Sequence, residues 1–259
     1  MRSPSLARWY AANGRHALPW RATRDRWAVL VAEVMLQQTQ AARVAQVWGP
    51  FLARFPDVET AAAAGPGALI AAWDRLGYPR RARRLWETAV IVSEQGWPDD
   101  LTALPGIGRY TAGAIAAEAD DADTVALDTN IRRVVERFHG RLLSPAAADV
   151  AMRELGGRLS GRDRLLALMD LGATVCTART PTCNGCPLRT RCATRGPLEG
   201  ERRSRQGRFA GSFRQRRGLV LAALRTAPTP VAQLDADALA SLVDDGLAEI
   251  RGTLATLPR

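Results

Sequence analysis

Leu104-Pro105-Gly106-Ile107-Gly108-Arg109-Tyr110-Thr111-Ala112-Gly113 is the stretch from which the rest of the chain is read. Proline starts a turn, and the two glycines that follow permit backbone conformations and close approaches that a Cβ blocks. The residues beyond have helical character, so the segment reads as a tight hairpin opening onto a helix N-terminus. N–H groups presented there suit a phosphate. Alone, such a turn is more often a structural corner between helices, and its meaning comes from its surroundings.

Those surroundings are helical. Alanine, leucine and valine recur at helical spacing, and β-branched alternation is nearly absent before residue 245. Turn signals such as Asn13-Gly14, Phe55-Pro56-Asp57, Gly65-Pro66-Gly67, Gly77-Tyr78-Pro79 and Gly96-Trp97-Pro98-Asp99 cut the first 195 residues into about ten short helical units. Composition changes after Cys192. Residues 196–217 are rich in Arg, Gly and Ser, with Arg202, Arg203, Arg205, Arg208, Arg214, Arg216 and Arg217 close together, which fits a solvated linker or a phosphate-contacting arm equally well. A small module then follows: helix 214–225, a Pro-containing turn, helix 235–245, and two apolar runs at 247–250 and 253–257 joined by Arg251-Gly252, a hairpin signal. Helices followed by a hairpin suggest a degenerate winged helix, too small to be stable unless it packs on the main body.

The 259 residues carry a formal net charge of +10, which makes a polyanion the default partner. All 36 basic residues are arginine. A high-GC genome accounts for that bias, but the chemistry it leaves is definite: no lysine is present to form a Schiff base. No run of eighteen apolar residues exists and Met1-Arg2-Ser3-Pro4-Ser5 has no signal-peptide core, so the expectation is a cytoplasmic, nucleoid-associated protein with no membrane partner. Cys176, Cys183, Cys186 and Cys192 follow the spacing C-x6-C-x2-C-x5-C, tighter than a secreted disulfide framework and strong as a ligand set for a metal. On spacing alone zinc and iron–sulfur are equally served.

Two carboxylates stand out. Asp128 precedes the helical stretch Thr129-Asn130-Ile131-Arg132-Arg133-Val134, where an aspartate is ordinarily an N-cap. An ionised carboxylate there also suits an oxocarbenium-like sugar cation formed as an N-glycosidic bond breaks. Glu33 lies in Trp27-Ala28-Val29-Leu30-Val31-Ala32-Glu33-Val34-Met35-Leu36, the longest apolar stretch of the N-terminal third. If it faces the interior, desolvation keeps it protonated and able to donate to a leaving base; otherwise it faces solvent. Gln37-Gln38-Thr39-Gln40 is a polar run suited to base edges, while His16 and His139 lie in no polar constellation and read as structural.

Together these residues resemble the helix-hairpin-helix DNA glycosylases of the endonuclease III superfamily, most closely its adenine-removing members. The likeness covers residues 6–195 and includes Leu18-Pro19-Trp20-Arg21, Glu33 through Thr39, Leu76-Gly77-Tyr78, the hairpin, Leu127-Asp128-Thr129-Asn130, and Leu171-Gly172-Ala173 leading into the cysteines. It implies an all-α fold of two domains, a six-helix domain at 18–125 and a [4Fe–4S] domain built from 1–17 and 126–195. The linker at 196–213 and the winged-helix-like module at 214–259 follow. It further implies a monomer acting on double-stranded DNA with a mismatched or damaged pair. Glu33 resembles the acid that protonates a departing purine, and Asp128 the carboxylate facing the sugar. Arg21, Gln37, Gln38, Tyr78, Gly106 and Gly108 resemble DNA contacts, Gln38 and Tyr78 probing or wedging the duplex as the base is flipped out. Tyr110 stands where lyase-active members carry a nucleophilic lysine, so strand cleavage is not expected.

Three departures mark the chain. The 64 residues after Arg195 are too few for the Nudix-like domain that reads 8-oxoguanine in adenine-removing relatives. Leu165-Leu166 replaces polar residues, one of which faces the target adenine, and a base contact of that kind is worth about 1–3 kcal/mol. Pro79 replaces an aromatic after Tyr78. Removal of thymine or uracil opposite guanine is therefore the alternative activity, and a non-catalytic iron–sulfur DNA-binding protein the alternative class.

Overall fold

The computed structural model describes residues 5–159, 161–201 and 207–259, the side chain of Arg75 excepted. Arg202, Arg203 and Arg205 of the Arg-rich segment lie outside the described residues. Ten α-helices come first: α1 (Leu6–Asn13), α2 (Arg26–Leu36), α3 (Ala41–Arg54), α4 (Val58–Ala64), α5 (Pro66–Ala72), α6 (Arg80–Gln95), α7 (Arg109–Asp120), α8 (Thr129–His139), α9 (Pro145–Gly156) and α10 (Gly161–Thr174). The C-terminal part adds α11 (Phe213–Thr226), β1 (Thr229–Pro230), α12 (Ala236–Asp244), β2 (Glu249–Arg251) and β3 (Leu254–Thr256). Polar caps start many of these helices. Ser5, Asp57, Asp128, Ser144, Ser212 and Asp235 each accept a hydrogen bond from a first-turn N–H, which satisfies donors the helix itself cannot. Among the described residues no helix is long and apolar enough to cross a membrane.

The chain divides into two compact units, one of Met1–Val29 with Gly108–Ser204, the other of Leu30–Ile107 with Arg205–Arg259. The sequence places the divisions at 17/18 and 125/126; in the structure they fall later at the first join and earlier at the second. The reason for the second shift is α7, whose Ala114 and Ala117 pack into the same core as α1, α8, α9 and α10.

In the first unit α10 is central. Leu165, Leu166, Ala167, Leu168 and Leu171 are buried there among Leu6, Trp9, Tyr10, Ile131, Val135 and Met152. Asp170, fully buried on the same helix, fastens the N-terminal segment: Oδ2 accepts from the Arg15 N–H at 2.8 Å, and Oδ1 accepts from Arg15 Nε at 2.6 Å and Arg21 Nη2 at 3.1 Å. Arg162 of α10 binds the same segment through its carbonyls, Thr23 at 3.0 Å and Arg21 at 2.7 Å.

In the second unit α4 and α5 pack on α6, and Phe51, Phe55, Leu69, Ile70, Trp73 and Leu85 fill the interior. The C-terminal module belongs to this unit. Its strands form one antiparallel sheet in the order β1-β3-β2, with Gly252 at φ +61° turning the β2–β3 hairpin as the sequence predicts. The module docks on the helical body. Arg80 donates to the Asp245 carboxylate, Arg83 Nη1 to the Asp245 carbonyl at 2.6 Å, and Arg225 Nε to the Ile70 carbonyl at 3.3 Å. Gly67 is required at the join, since a Cβ would stand 2.1 Å from the Pro258 carbonyl oxygen.

Asp170→Ala is expected to destabilise the native state by about 3–5 kcal/mol, because it strips the buried Arg21 guanidinium of its hydrogen-bonded carboxylate. Urea titration followed by circular dichroism measures this, and a loss within experimental error of zero would mean that the carboxylate is not a fastening point.

Candidate functional site

Glu33 sits mid-way along α2, a helix begun by Asp25, whose carboxylate accepts from the Ala28 N–H at 2.7 Å. Leu30, Val31, Ala32, Val34 and Met35 around it are all buried, and Glu33 itself is 3% exposed. Of the two placements open to it in the sequence, the structure selects the interior. Helix α2 then ends in the polar run: Gln37 is half-buried, and Gln38 is exposed with a left-handed backbone, φ +57°. Tyr78 is likewise left-handed at φ +49° and 37% exposed. A side chain pays for such a conformation in strain, which persists only where neighbours hold it.

The hairpin is anchored by its apolar residues, Leu104 and Ile107, both buried, with the Ile107 N–H donating to the Leu104 carbonyl at 3.1 Å. Gly106 has φ +77° and needs to be glycine. Gly108 does not need it for conformation: its backbone is extended, φ −92° and ψ 175°, and it serves as the N-cap of α7. A Cβ there would meet nothing within 4 Å. What Gly108 leaves is open space in front of a helix N-terminus.

Tyr110 is in the first turn of α7, half-buried against the core of the first unit with its hydroxyl 3.9 Å from Met169 Sδ. Gly113 lets the following segment lie close on α7, because a Cβ would stand 2.7 Å from the Val125 carbonyl oxygen. That segment delivers Asp128 to the start of α8. Its Oδ1 caps the helix by accepting from the Ile131 N–H at 2.6 Å, and its Oδ2 accepts from Asn130 Nδ2 at 2.7 Å. Burial raises the Asp128 carboxyl above its ordinary value, against the opposing pull of the Ile131 N–H, Asn130 and Arg133.

Two arginines a turn apart on α8 tie this carboxylate to the cysteine loop. Arg133 Nη2 donates to Asn130 Oδ1 at 2.8 Å and to the Gly172 carbonyl at 2.6 Å, while its Nε donates to the Cys176 carbonyl at 2.7 Å. Arg137 grips the next carbonyls, Thr177 at 2.8 Å and Ala178 at 3.1 Å, and lies 3.6 Å from Cys176 Sγ. Its charge is met by Glu201. Helix α10 comes close enough to join in only because residue 172 is glycine: a Cβ would lie 2.8 Å from the Asn130 Cβ and carbonyl oxygen. Cys176, Cys183, Cys186 and Cys192 all line one hollow with Arg137, Val175 and Arg189. Burial pushes the Cys186 thiol up to about 11 and that of Cys176 up as well. Among the described residues no three His, Cys, Asp or Glu side chains are gathered about a single-ion point.

The structure thus joins Asp128 and the four cysteines in the first unit and Glu33, Gln37, Gln38, Tyr78 and Gly106 in the second. One placement differs from the sequence reading. The Arg21 side chain is only 6% exposed and is bound to Asp170, so it belongs to the interior rather than to a DNA-contacting surface. Within the C-terminal module Arg216, 45% exposed, pairs with Asp235, and Arg217 pairs with Asp245. Leu165 and Leu166 are core residues, 1% and 2% exposed. Sequence reading missed Arg133 and Gly113. Arg133 looked like one of many helix-face arginines, while Gly113 was in view as a third glycine after the hairpin.

Comparison with known proteins gives a consistent picture. The model of the HhH-GPD superfamily of base excision DNA repair proteins matches residues 31–155. An adenine DNA glycosylase of Mycolicibacterium smegmatis is 43% identical over 94% of this chain and 91% of its own length, so the likeness reaches into the C-terminal module. Among solved structures, a thermostable thymine-DNA glycosylase superposes with a TM-score of 0.66 at 27% identity, covering 73% of this chain and 92% of that one. A non-covalent endonuclease III–DNA complex gives 0.63 at 22%, covering 73% and 91%.

Gly172→Ala is expected to cost about 1–3 kcal/mol, as overpacking against backbone does, and to loosen the first turn of α8. Hydrogen exchange at the Ile131 and Arg132 amides reads the second effect. Unchanged protection there would show that α10 and α8 separate without disturbing the cap.

Proposed function

The chain belongs to the HhH-GPD superfamily of base excision DNA repair proteins, and from that premise we propose that it is an adenine DNA glycosylase, excising adenine opposite guanine or 8-oxoguanine from duplex DNA. The observation that carries the catalytic part of this reading is the burial of Glu33, a carboxyl 3% exposed within an otherwise apolar helix. That is the setting of a group that delivers a proton rather than one that solubilises a surface. Glu33 protonates the departing purine as the bond from its nitrogen to the sugar C1′ breaks. Asp128, ionised and held by two hydrogen bonds, faces the positive charge that develops on the sugar. Water then adds to C1′ and gives up a proton, leaving an abasic site and free base. With Tyr110 at the hairpin and no lysine in the chain, no side chain offers the amine for a Schiff base, and the strand is expected to stay intact.

DNA is held by the hairpin, where Gly106 makes the turn and the open space before Gly108 admits a phosphate to the α7 N-terminus. Gln37, Gln38 and Tyr78 address the duplex where the base leaves. The four cysteines suit a [4Fe–4S] cluster. They form an all-thiol set lining one hollow, the donor type that such a cluster takes. Such a cluster supplies cross-links that order residues 176–192. The sheet order β1-β3-β2 supports the winged-helix reading of the C-terminal module, but its α12 begins and ends in Asp235, Asp237, Asp244 and Asp245, which is no surface for phosphate. We read it as a docked support.

Removal of thymine or uracil opposite guanine is a second reading, favoured by the thymine-DNA glycosylase likeness. Duplexes with A:8-oxoguanine, A:G, T:G and U:G, assayed with and without hot alkali, separate the two. Release is expected from the first two and alkali-free breaks from none; release confined to T:G and U:G would replace adenine as the substrate. Glu33→Gln is expected to abolish release while preserving DNA binding, and the purified protein to be brown with absorbance near about 400 nm from the cluster.

Activity should also report Asp128. Its ionised form is the active one and burial raises its pKa, so as pH falls the rate is lost earlier than an ordinary aspartate would dictate. Asn130→Ala removes a bond that favours ionisation and is expected to move that acid limb to still higher pH in single-turnover profiles. A limb that does not move would detach it from Asp128.

A further inference from the structure

Arg81 is a buried cation that the chemistry above does not use. It is 8% exposed, and its guanidinium serves six oxygens. Nη1 donates to the carbonyls of Val34 at 2.7 Å, Met35 at 3.0 Å and Gln37 at 2.5 Å. Nη2 donates to Thr39 Oγ1 at 3.1 Å and to the carbonyls of Leu76 at 3.1 Å and Gly77 at 2.9 Å. The first set is the C-terminal end of α2, whose carbonyls have no partner within the helix and carry its negative dipole. The second includes the turn that leads to Tyr78. The guanidinium also lies under two rings, 5.3 Å from the Trp73 centroid and 5.5 Å from that of Tyr78. Burial pulls its pKa down to about 10, which leaves it charged at neutral pH.

The residues so gathered are the strained ones. Among the described residues five non-glycines have positive φ, and Gln38, Asp74 and Tyr78 are three of them, each within or beside a segment that Arg81 binds. Thr39 Oγ1 donates to the Leu76 carbonyl at 3.2 Å, closing the two segments on each other. We propose that Arg81 is a positioning residue for base extrusion: it clamps the end of α2 to the Gly77–Tyr78 turn, so that Gln38 and Tyr78 meet the duplex as one preset pair. The inference rests on the glycosylase reading above and adds to it how the two probing side chains are aimed. Lysine cannot replace the clamp, because one ammonium offers three donors from a single point where the site asks for a planar fork.

A double-mutant cycle tests it, comparing the native protein, Arg81→Lys, the pair Gln38→Ala with Tyr78→Ala, and all three changes together. If Arg81 acts through the two probes, Arg81→Lys lowers single-turnover release of adenine from A:8-oxoguanine about tenfold in the native background and less than about twofold when both probes are gone. An equal loss in both backgrounds, or native rates in Arg81→Lys, overturns the proposal. Thermal melts accompany each protein. Should Arg81→Lys not fold, Thr39→Val removes one of its oxygens instead, with a loss of about threefold expected and the same dependence on the probes. The cycle is read in parallel by the fluorescence of 2-aminopurine placed beside the mismatch, which reports unstacking without excision. A native chain that releases no base thus counts against the proposed activity, while the fluorescence cycle still decides the clamp.

Discussion

A unit assembled from two distant stretches of chain has to close one on the other, and here that closure falls on the carboxylate of Asp170. It is fully buried and meets a main-chain N–H and two guanidinium groups from the N-terminal segment. Because α10 is fixed at this end, its next turn is fixed as well. There Gly172 admits α8, and α8 carries Asp128 at its start and the two arginines that hold the cysteine loop. A single buried acid thereby orders, in succession, the N-terminal segment, the central helix, the capping aspartate and the loop. An ion pair so enclosed is weak as a source of net stability but strict as a condition of geometry.

The structure shows Asp128 as a helix cap, and the same arrangement serves the charged role proposed for it. A cap fixes a carboxylate in direction by binding it to a rigid backbone donor, and Asn130 fixes the other oxygen. Preorganised charge of this kind costs no rearrangement when a cation forms beside it. The bond network continues through Arg133 to the Cys176 carbonyl, so the order of the loop and the order of the carboxylate are mechanically connected.

Much of this was legible in the chain. Turn residues marked about ten helical units before residue 195, Arg251-Gly252 marked the terminal hairpin, and Asp128 was legible as a helix cap. What was not legible concerns partners distant in sequence. Arg21 looked available to DNA because nothing local announces Asp170, which lies 149 residues on. Arg81 was hidden in Arg80-Arg81-Ala82-Arg83-Arg84, a run that reads as a solvated helix face. Helical phase does put position 81 on the face of Leu85, Ala89 and Val92, but it does not say what an arginine binds there, since its partners are main-chain carbonyls and leave no trace in the alphabet of side chains.

Arg81, Arg133, Arg137 and Arg162 share one habit: each collects several main-chain carbonyls with a single planar head. At these four positions arginine is more than the imprint of base composition on codon choice. A drift of the genome toward AT would convert exposed arginines to lysine at little cost, but these four positions would resist it, because the fold has come to use the shape of the group as well as its charge. At these positions the fold is tied to one side-chain shape, and a change of charge carrier there is a change of structure.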